Sequence, residues 1–178
     1  MVGLMQTQLI SPPPAGDLNM DSRNDFNVVI AYEDLPTGKC AKETCDWLSK
    51  RLGDDSEFTC NLWRFDVLAD PGLKRAAVRD AEAARMIIIA FRGEMDLSTD
   101  AKIWIELWLQ EKPKRPRILL ALSDRANAGT QNMASIHRYL RTVAKRGRME
   151  LFTQEANMED GDLVSYRGEM SLTCQPSV

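Results

Sequence analysis

Five segments of the chain carry the apolar patterns of β-strands. Arg85 to Phe91 and Arg117 to Leu122 show no alternation of apolar and polar positions, which is typical of strands covered on both faces of a parallel sheet. Glu57 to Leu68 alternates and is rich in aromatic residues, which also favours a strand. The full set of predicted strands is Phe26 to Tyr32, Glu57 to Leu68, Arg85 to Phe91, Arg117 to Leu122 and Met149 to Phe152.

Between these strands, apolar residues recur every three or four positions, the spacing of one helix face. Thr37 to Leu52 is the first such segment. Asp70 and Pro71 supply an N-cap and a first-turn proline for the second helix, and Ser98 can cap the third. The predicted inward-facing residues of the four helices are Ala41, Cys45, Leu48 and Leu52; Leu73, Ala77, Ala81 and Ala84; Ala101, Trp104, Ile105, Trp108 and Leu109; and Met133, Ile136, Leu140 and Val143.

Alternating strands and helices of this kind predict an α/β three-layer sandwich built on a five-stranded parallel sheet. The domain is expected to span residues 26–153. Residues 1–25 contain a run of three prolines and no periodic apolar stripe, which predicts a disordered leader. Residues 154–178 show no helical period and are expected to form a C-terminal tail.

The pattern from Phe26 to Phe152 resembles the flavodoxin-like group, which includes flavodoxins, response-regulator receivers and, more distantly, TIR domains. The resemblance implies strand order 2-1-3-4-5 and a ligand crevice at the carboxyl ends of the first and third strands. Trp63 to Leu68 is also similar to a stretch of uncharacterised bacterial proteins, which implies no chemistry. The residues expected to line the crevice are Tyr32, Glu33, Asp34, Thr37, Gly38, Arg92, Gly93 and Ser123.

The start of the first helix is similar to the phosphate-binding loop of flavodoxins. Tyr32 and the sequence Thr37-Gly38-Lys39 would place a hydroxyl and backbone amides at a helix N-terminus, where an anion binds. Glu33 and Asp34 would bring two negative charges beside the flavin phosphate. Electrostatic repulsion therefore argues against FMN.

Glu33 and Asp34 also resemble the acidic pair that holds Mg²⁺ in receivers, and Ser123 stands where receivers keep a serine or threonine. The phosphate-accepting aspartate is absent, because the third strand ends Ala90-Phe91-Arg92. A carboxylate nucleophile is required to form an acyl phosphate. The resemblance thus implies a degenerate receiver, and the alternative is that Glu33 and Asp34 form a solvated loop at the helix N-terminus.

A third resemblance, to TIR domains, places Glu106 on the helix after the third strand. In that family a glutamate there serves NAD cleavage. The family's Trp-Cys-x-x-Glu spacing is not kept, since this chain reads Trp104-Ile105-Glu106. The alternative is that Glu106 lies on the polar face of an amphipathic helix.

Charge is distributed unevenly along the chain. Lys112 to Arg148 carries ten basic residues and one acidic residue, although the whole chain has a net charge of -3. This asymmetry favours an acidic partner for the basic side of the fold, and nucleic acid stays open as such a partner. The residues expected to bind a partner are Arg138, Arg141, Lys145, Arg146 and Arg148.

Composition also limits which metal sites and which cellular locations are expected for this chain. The chain has four cysteines without a Cys-x-x-Cys pair and a single histidine, so no zinc set is expected and the thiols should be reduced. His137 is expected at the surface. The apolar runs are too short to cross a membrane and the N-terminus does not resemble a secretory signal, so a cytoplasmic protein is expected.

Flavodoxin-like folds end with a fifth helix, but no helical pattern follows Phe152. The sheet face beside the first helix should therefore expose large apolar side chains unless another segment or a second chain covers it. A homodimer is one such solution. The covering residues considered within this chain are Leu163, Val164, Tyr166 and Leu172 of the tail, and Leu4, Leu9 and Ile10 of the leader.

These features together predict a non-catalytic signalling or adaptor domain that binds a protein partner, with no cofactor expected. A divalent metal or a nucleotide stays open as a crevice ligand. The alternative functions are a nucleotide- or flavin-using enzyme, such as an NAD hydrolase, and nucleic-acid binding through the fourth helix. The residues to test for catalysis are Glu33, Asp34, Arg92 and Glu106.

Overall fold

The computed structural model describes residues 25–52, 57–158 and 173–174. Residues 1–24 of the predicted leader and most of the predicted tail lie outside this part. The strands are β1 (Phe26–Tyr32), β2 (Phe58–Arg64), β3 (Met86–Phe91), β4 (Arg117–Asp124), β5 (Met149–Ala156) and β6 (Thr173–Cys174). The helices are α1 (Leu35–Leu52), α2 (Pro71–Ala83), α3 (Thr99–Leu109) and α4 (Gln131–Arg146).

The strands form one sheet in the order β2-β1-β3-β4-β5-β6. Strands β1 to β5 are parallel and confirm the predicted order 2-1-3-4-5, the doubly wound order of flavodoxin-like folds. The two-residue β6 adds an antiparallel strand beside β5, where the sequence predicted none. The carboxyl ends of β1 and β3 are adjacent, because Tyr32 pairs with Ala90.

Each face of the sheet packs on its own core. One core contains alternate residues of β3 and β4 together with residues of α2, α3 and α4, including the fully buried Trp104 and Trp108. The opposite core joins α1 to the other side of the same strands. The three predicted layers are therefore confirmed, and β3 is buried at every position because helices cover both of its faces.

No helix follows β5 within the described residues. The cover that the sequence analysis required for the α1 side of the sheet is present over β4, where Leu120 and Leu122 are 2% and 0% exposed and pack in one core with Ala156 and Met158. Ile118 and Phe152 are half-buried on this face. The leader and tail residues considered as its cover lie outside the described part of the chain.

The structure differs from the sequence prediction in several local details, among them that Leu52, predicted to face inward, is 47% exposed. β2 ends at Arg64, because the next five residues form a 3₁₀ turn that buries Phe65 and Leu68. β5 continues to Ala156. Leu73 was predicted to face inward but is 44% exposed. By contrast, the Asp70 carboxylate accepts hydrogen bonds from two backbone amides at the start of α2, as its N-cap role predicts.

The end of α4 holds Arg148 at φ 50°, in the left-handed region that favours glycine. We expect Arg148→Gly to raise the free energy of unfolding by about 0.5–1 kcal/mol, since it removes this strain. Urea denaturation measures the change. Arg148→Ala is the matched control because it removes the long side chain but keeps Cβ. Equal stability of the glycine and alanine variants would contradict the expectation.

No helix in the described part of the chain combines the length and hydropathy needed to cross a membrane.

Candidate functional site

The predicted crevice lies where the chain leaves β1 and β3, and backbone contacts join these two loops. The Glu33 amide donates a hydrogen bond to the Ala90 carbonyl at 3.0 Å. In return, the Arg92 amide donates to Glu33 Oε2 at 2.8 Å. Burial raises the pKa of the Glu33 carboxyl, although its hydrogen bond from Arg92 acts in the opposite direction. The Glu33 side chain is therefore engaged within the loop.

The Arg92 side chain spans the crevice between two carboxylates. Its Nε donates to Asp34 Oδ2 at 2.5 Å, and its Nη1 lies 3.6 Å from Asp124 Oδ2. Nη1 also donates to the Met158 carbonyl at 3.2 Å. The side chains of Arg92 and Asp124 are only 19% and 6% exposed. One guanidinium thus links the ends of β1, β3 and β4 to the chain beyond β5.

Asp34 and Thr37 are joined by hydrogen bonds at the start of α1. The Thr37 amide donates to Asp34 Oδ1 at 3.0 Å, and the Thr37 hydroxyl donates to the Asp34 carbonyl at 2.9 Å. The Gly38 amide donates to the same carbonyl at 2.9 Å. Burial raises the pKa of the Asp34 carboxyl, but the hydrogen bonds from Arg92 and Thr37 outweigh it and lower the pKa overall.

These contacts do not fit a flavin phosphate. A phosphate at this helix N-terminus would need the amides and hydroxyl that Asp34 already takes. Thr37 is fully buried, and the Tyr32 ring packs on Gly38 so closely that a Cβ there would lie 2.6 Å from Tyr32 Cδ2. The resemblance to the flavodoxin loop therefore does not extend to its binding chemistry.

The arrangement does not fit a receiver-type Mg²⁺ site either. Asp34, one of the two acids that resemble the Mg²⁺-holding pair, is bonded to the Arg92 guanidinium, which also lies beside Asp124. Within the described residues, no group of three or more His, Cys, Asp or Glu side chains could hold a metal ion. β3 ends in the buried Ala90 and Phe91, neither of which can accept a phosphoryl group.

The loop after β3 is held by the loop that precedes α4. The side chains of Asn127 and Thr130 donate to the carbonyls of Arg92 and Gly93, at 3.1 and 3.4 Å. Gly93 has φ 84°, which is left-handed backbone. Asp124, Asn127 and Thr130 were not predicted as site residues from the sequence. The signal available for them was their position after a buried strand, at the predicted carboxyl edge.

Two strongly exposed apolar side chains flank the crevice. Leu35 is 76% exposed and directly follows Asp34, while Met95 is 70% exposed in the loop after β3. They are the most exposed of the large apolar side chains in the described residues. Glu94 and Asp96 are exposed on either side of Met95. The rim therefore combines apolar and acidic groups around a crevice filled by its own side chains.

Ser123 and Glu106 lie apart from this network. Ser123 is fully buried, and its hydroxyl donates to the Gln154 carbonyl at 3.4 Å. Both oxygens of Glu106 accept from Arg146 at 2.8 Å, which lowers the pKa of Glu106. Glu106 is about 10 Å along the helix axis from the start of α3, so the structure does not bring it to the crevice.

The five predicted partner-binding residues on the basic side are all exposed. Four belong to α4 and the fifth follows Gly147. Arg146 is engaged with Glu106, as described above, so the charge of this residue is partly neutralised. The predicted basic face is present as a surface and is separate from the crevice network. Its residues are Arg138, Arg141, Lys145, Arg146 and Arg148.

His137 is half-buried, so its predicted surface position is wrong. Its ring packs edge-on against Phe91 at 5.9 Å, and Nε2 is buried without a hydrogen-bond partner. The apolar inner face of α4 turns this residue toward the sheet. Burial lowers the pKa of His137, although Glu155 raises it and Arg141 lowers it further.

We expect His137 to lower the free energy of unfolding in mild acid. The unfolded chain takes up a proton near pH 6.5 while the folded chain resists it, so stability present above pH 6.5 is lost as the pH falls. His137→Phe should therefore reduce the loss between pH 7 and 5.5 by up to about 1 kcal/mol. Urea denaturation of both proteins at the two pH values measures this difference. An unchanged pH dependence in the variant would contradict it.

Comparisons with known proteins do not identify a family for this chain. No family model matches the chain, and no curated protein matches it. A solved structure, that of a Trp repressor binding protein from Bacillus subtilis, is similar with 12% sequence identity and a TM-score of 0.44. The match covers 73% of this chain and 85% of that one. Similarity at this level bears on neither ligand nor partner, and the chain's own strand order and layers make the fold flavodoxin-like.

Proposed function

We propose that this chain is a non-catalytic signalling or adaptor domain that binds a protein partner at the carboxyl edge of its sheet. The observation that carries the proposal is the Arg92 guanidinium held between Asp34 and Asp124. On this proposal the domain is a degenerate receiver that lacks the phosphate-accepting aspartate and in which Arg92 bonds to Asp34, one of the two acids that resemble the Mg²⁺-holding pair.

The Arg92 guanidinium fixes the conformation of the loops at the carboxyl edge of the sheet. The salt bridges of Arg92, together with its contact to the Met158 carbonyl, join loops that a ligand would otherwise have to organise. Preorganised surfaces bind proteins with a smaller entropy cost. The crevice thus supports the rim for recognition, and no group in it is poised for bond making.

The rim residues Leu35 and Met95 are the proposed anchors. Protein interfaces depend most on apolar side chains that become fully desolvated, whereas surrounding charges steer the encounter. The exposed Glu94 beside Met95 favours a partner with an apolar pocket and a basic residue near it, whereas the charge of Asp96 is already shared with Lys102.

Affinity capture from the source cells with three single variants tests this proposal. Leu35→Glu and Met95→Glu should each lower recovery of a stoichiometric partner at least about tenfold relative to the unmodified chain. Leu73→Glu is the matched control, since Leu73 is 44% exposed on α2, away from the crevice. Equal recovery with all variants, or an equal loss with the control, would contradict the proposal. Circular dichroism checks that each variant is folded.

Nucleic-acid binding is the second candidate, because exposed basic side chains project from α4. Anisotropy of a labelled duplex tests it at 50 and 200 mM salt. A protein that makes several phosphate contacts loses orders of magnitude in affinity across this range. Arg138→Ala combined with Arg141→Ala should then weaken binding, with Arg125→Ala as a basic control outside α4. Absence of binding at low salt would remove this candidate.

The enzyme alternative has no arrangement in its favour. Of the residues that would carry it, Glu33, Asp34 and Arg92 lie together but bond to one another. Glu106 lies elsewhere and pairs with Arg146.

A further inference from the structure

Two thiols from different elements meet on the α1 side of the sheet. Cys45 Sγ, on α1, lies 3.1 Å from Cys60 Sγ, on β2. Cys60 packs on this side of the sheet, toward α1, and pairs in register with Val28. The sulfur atoms need to approach by only about 1 Å to reach a disulfide bond length of about 2.05 Å. Both residues are reduced in this structure.

The two thiols differ in access and in acidity. Cys45 is fully buried, whereas Cys60 is half-buried on the edge strand. The hydrogen bond from Cys45 lowers the pKa of the Cys60 thiol; burial opposes it, and Lys42, which lowers this pKa, is paired with Asp46, which raises it. The pKa of Cys45 is raised by its contact with Cys60 and by burial. Cys60 is therefore the better nucleophile, and Cys45 is placed behind it.

We propose that Cys45 and Cys60 are a reversible redox pair that closes to a disulfide in exchange with a small disulfide such as oxidised glutathione. The Cys60 thiolate attacks one glutathione sulfur, so a mixed disulfide forms and one glutathione thiolate leaves. Cys45 then loses its proton and attacks the Cys60 sulfur, which displaces the second glutathione thiolate. The protein gives up two electrons and two protons in total, and oxidised glutathione becomes two reduced molecules.

Closure would tie the edge strand β2 to α1. The bond closes a loop between residues fifteen apart in sequence, and it constrains the unfolded chain more than the folded one. We expect the thermal midpoint of the oxidised protein to rise by roughly 6–12 °C. The free edge of the sheet would thereby become more rigid under oxidising conditions.

The test is incubation of the full chain with oxidised glutathione, followed by thiol counting in denaturant and peptide mapping. The count should fall from four thiols to two, with the Cys45 and Cys60 peptides linked and the protein mass lowered by two hydrogen atoms. Dithiothreitol should restore all the thiols. Four remaining thiols, a stable glutathione adduct without closure, or a bond to Cys40 or Cys174 would overturn the proposal.

Two serine variants separate the steps. Cys45→Ser should stop at a glutathione adduct on Cys60, and an unmodified Cys60 would overturn the order of attack. Cys40→Ser is the matched control, because Cys40 is a buried cysteine on the same helix. It should leave closure between Cys45 and Cys60 unchanged, and loss of closure in this variant would also overturn the proposal.

Discussion

Replacing Arg92→Ala is expected to lower the free energy of unfolding by about 2–4 kcal/mol. The substitution removes the partner of two carboxylates, of which Asp124 is only 6% exposed in its side chain. An unpaired buried charge costs far more than the intact pair contributes. The Met158 carbonyl loses its donor at the same time. The loss should be largest near neutral pH, where the Asp34 carboxyl, whose pKa is lowered in the fold, is ionised.

Urea denaturation of the wild type, Arg92→Ala and Arg92→Lys measures this effect. Because the lysine variant keeps the positive charge, its loss should be smaller than that of Arg92→Ala. It lacks the planar guanidinium that reaches three acceptors, so its stability should not equal that of the wild type. A double-mutant cycle with Asp34→Asn isolates the contact between Arg92 and Asp34. A loss below about 1 kcal/mol for Arg92→Ala would show that the network is no more than a surface salt bridge.

Gly93→Ala is expected to cost about 2–4 kcal/mol. Gly93 has φ 84°, and a Cβ at this position would overlap the terminal methyl of Met133. Met133 lies on α4, is 4% exposed and packs in the core, so the flexible end of its side chain would have to move among buried neighbours. The costs of the backbone strain and of the repacking around Met133 therefore add.

Gly129→Ala is the matched control for this prediction. Gly129 has φ 82°, but a Cβ there meets nothing within 4 Å. The control should therefore show only the backbone cost of about 1 kcal/mol. Thermal or urea denaturation of both variants gives the difference, which measures the packing around Met133. Equal losses at the two glycines would mean that Met133 moves aside freely.

Much of the fold could be predicted because its signals are local. β3 and β4 lack alternation since helices cover both faces, and the caps at Asp70 and Ser98 bond to nearby amides. The strand order followed from the resemblance to flavodoxin-like domains. The antiparallel β6 could not be predicted, because two residues carry no periodicity.

The candidate site could be located but its internal arrangement could not. Strand order alone brings Glu33, Asp34 and Arg92 to one edge. The pairing of Arg92 with Asp124 and Met158 depends on loop conformations beyond β4 and β5, which no local pattern specifies. Helical spacing alone did not distinguish an exposed His137 from one that turns toward the sheet.

The contact between Cys45 and Cys60 could not be predicted for the same reason, because it depends on packing and not on a local pattern. Sequence placed one cysteine on a helix face and the other on a strand, without the register that joins them. Their meeting depends on how α1 lies across β1 and β2, which is a property of the packed fold.

A titration of the ¹⁵N-labelled chain with Mg²⁺ and beryllofluoride, monitored by amide chemical shifts, tests most directly whether the crevice is filled by its own side chains. Potassium fluoride at equal ionic strength serves as the control. Because Arg92 already bonds to Asp34 and lies beside Asp124, we expect no saturable shifts at residues 33–38 or 90–94. Saturable shifts centred on Asp34 and Arg92 would show that the crevice takes a metal and a phosphoryl analogue, and would overturn the proposed function.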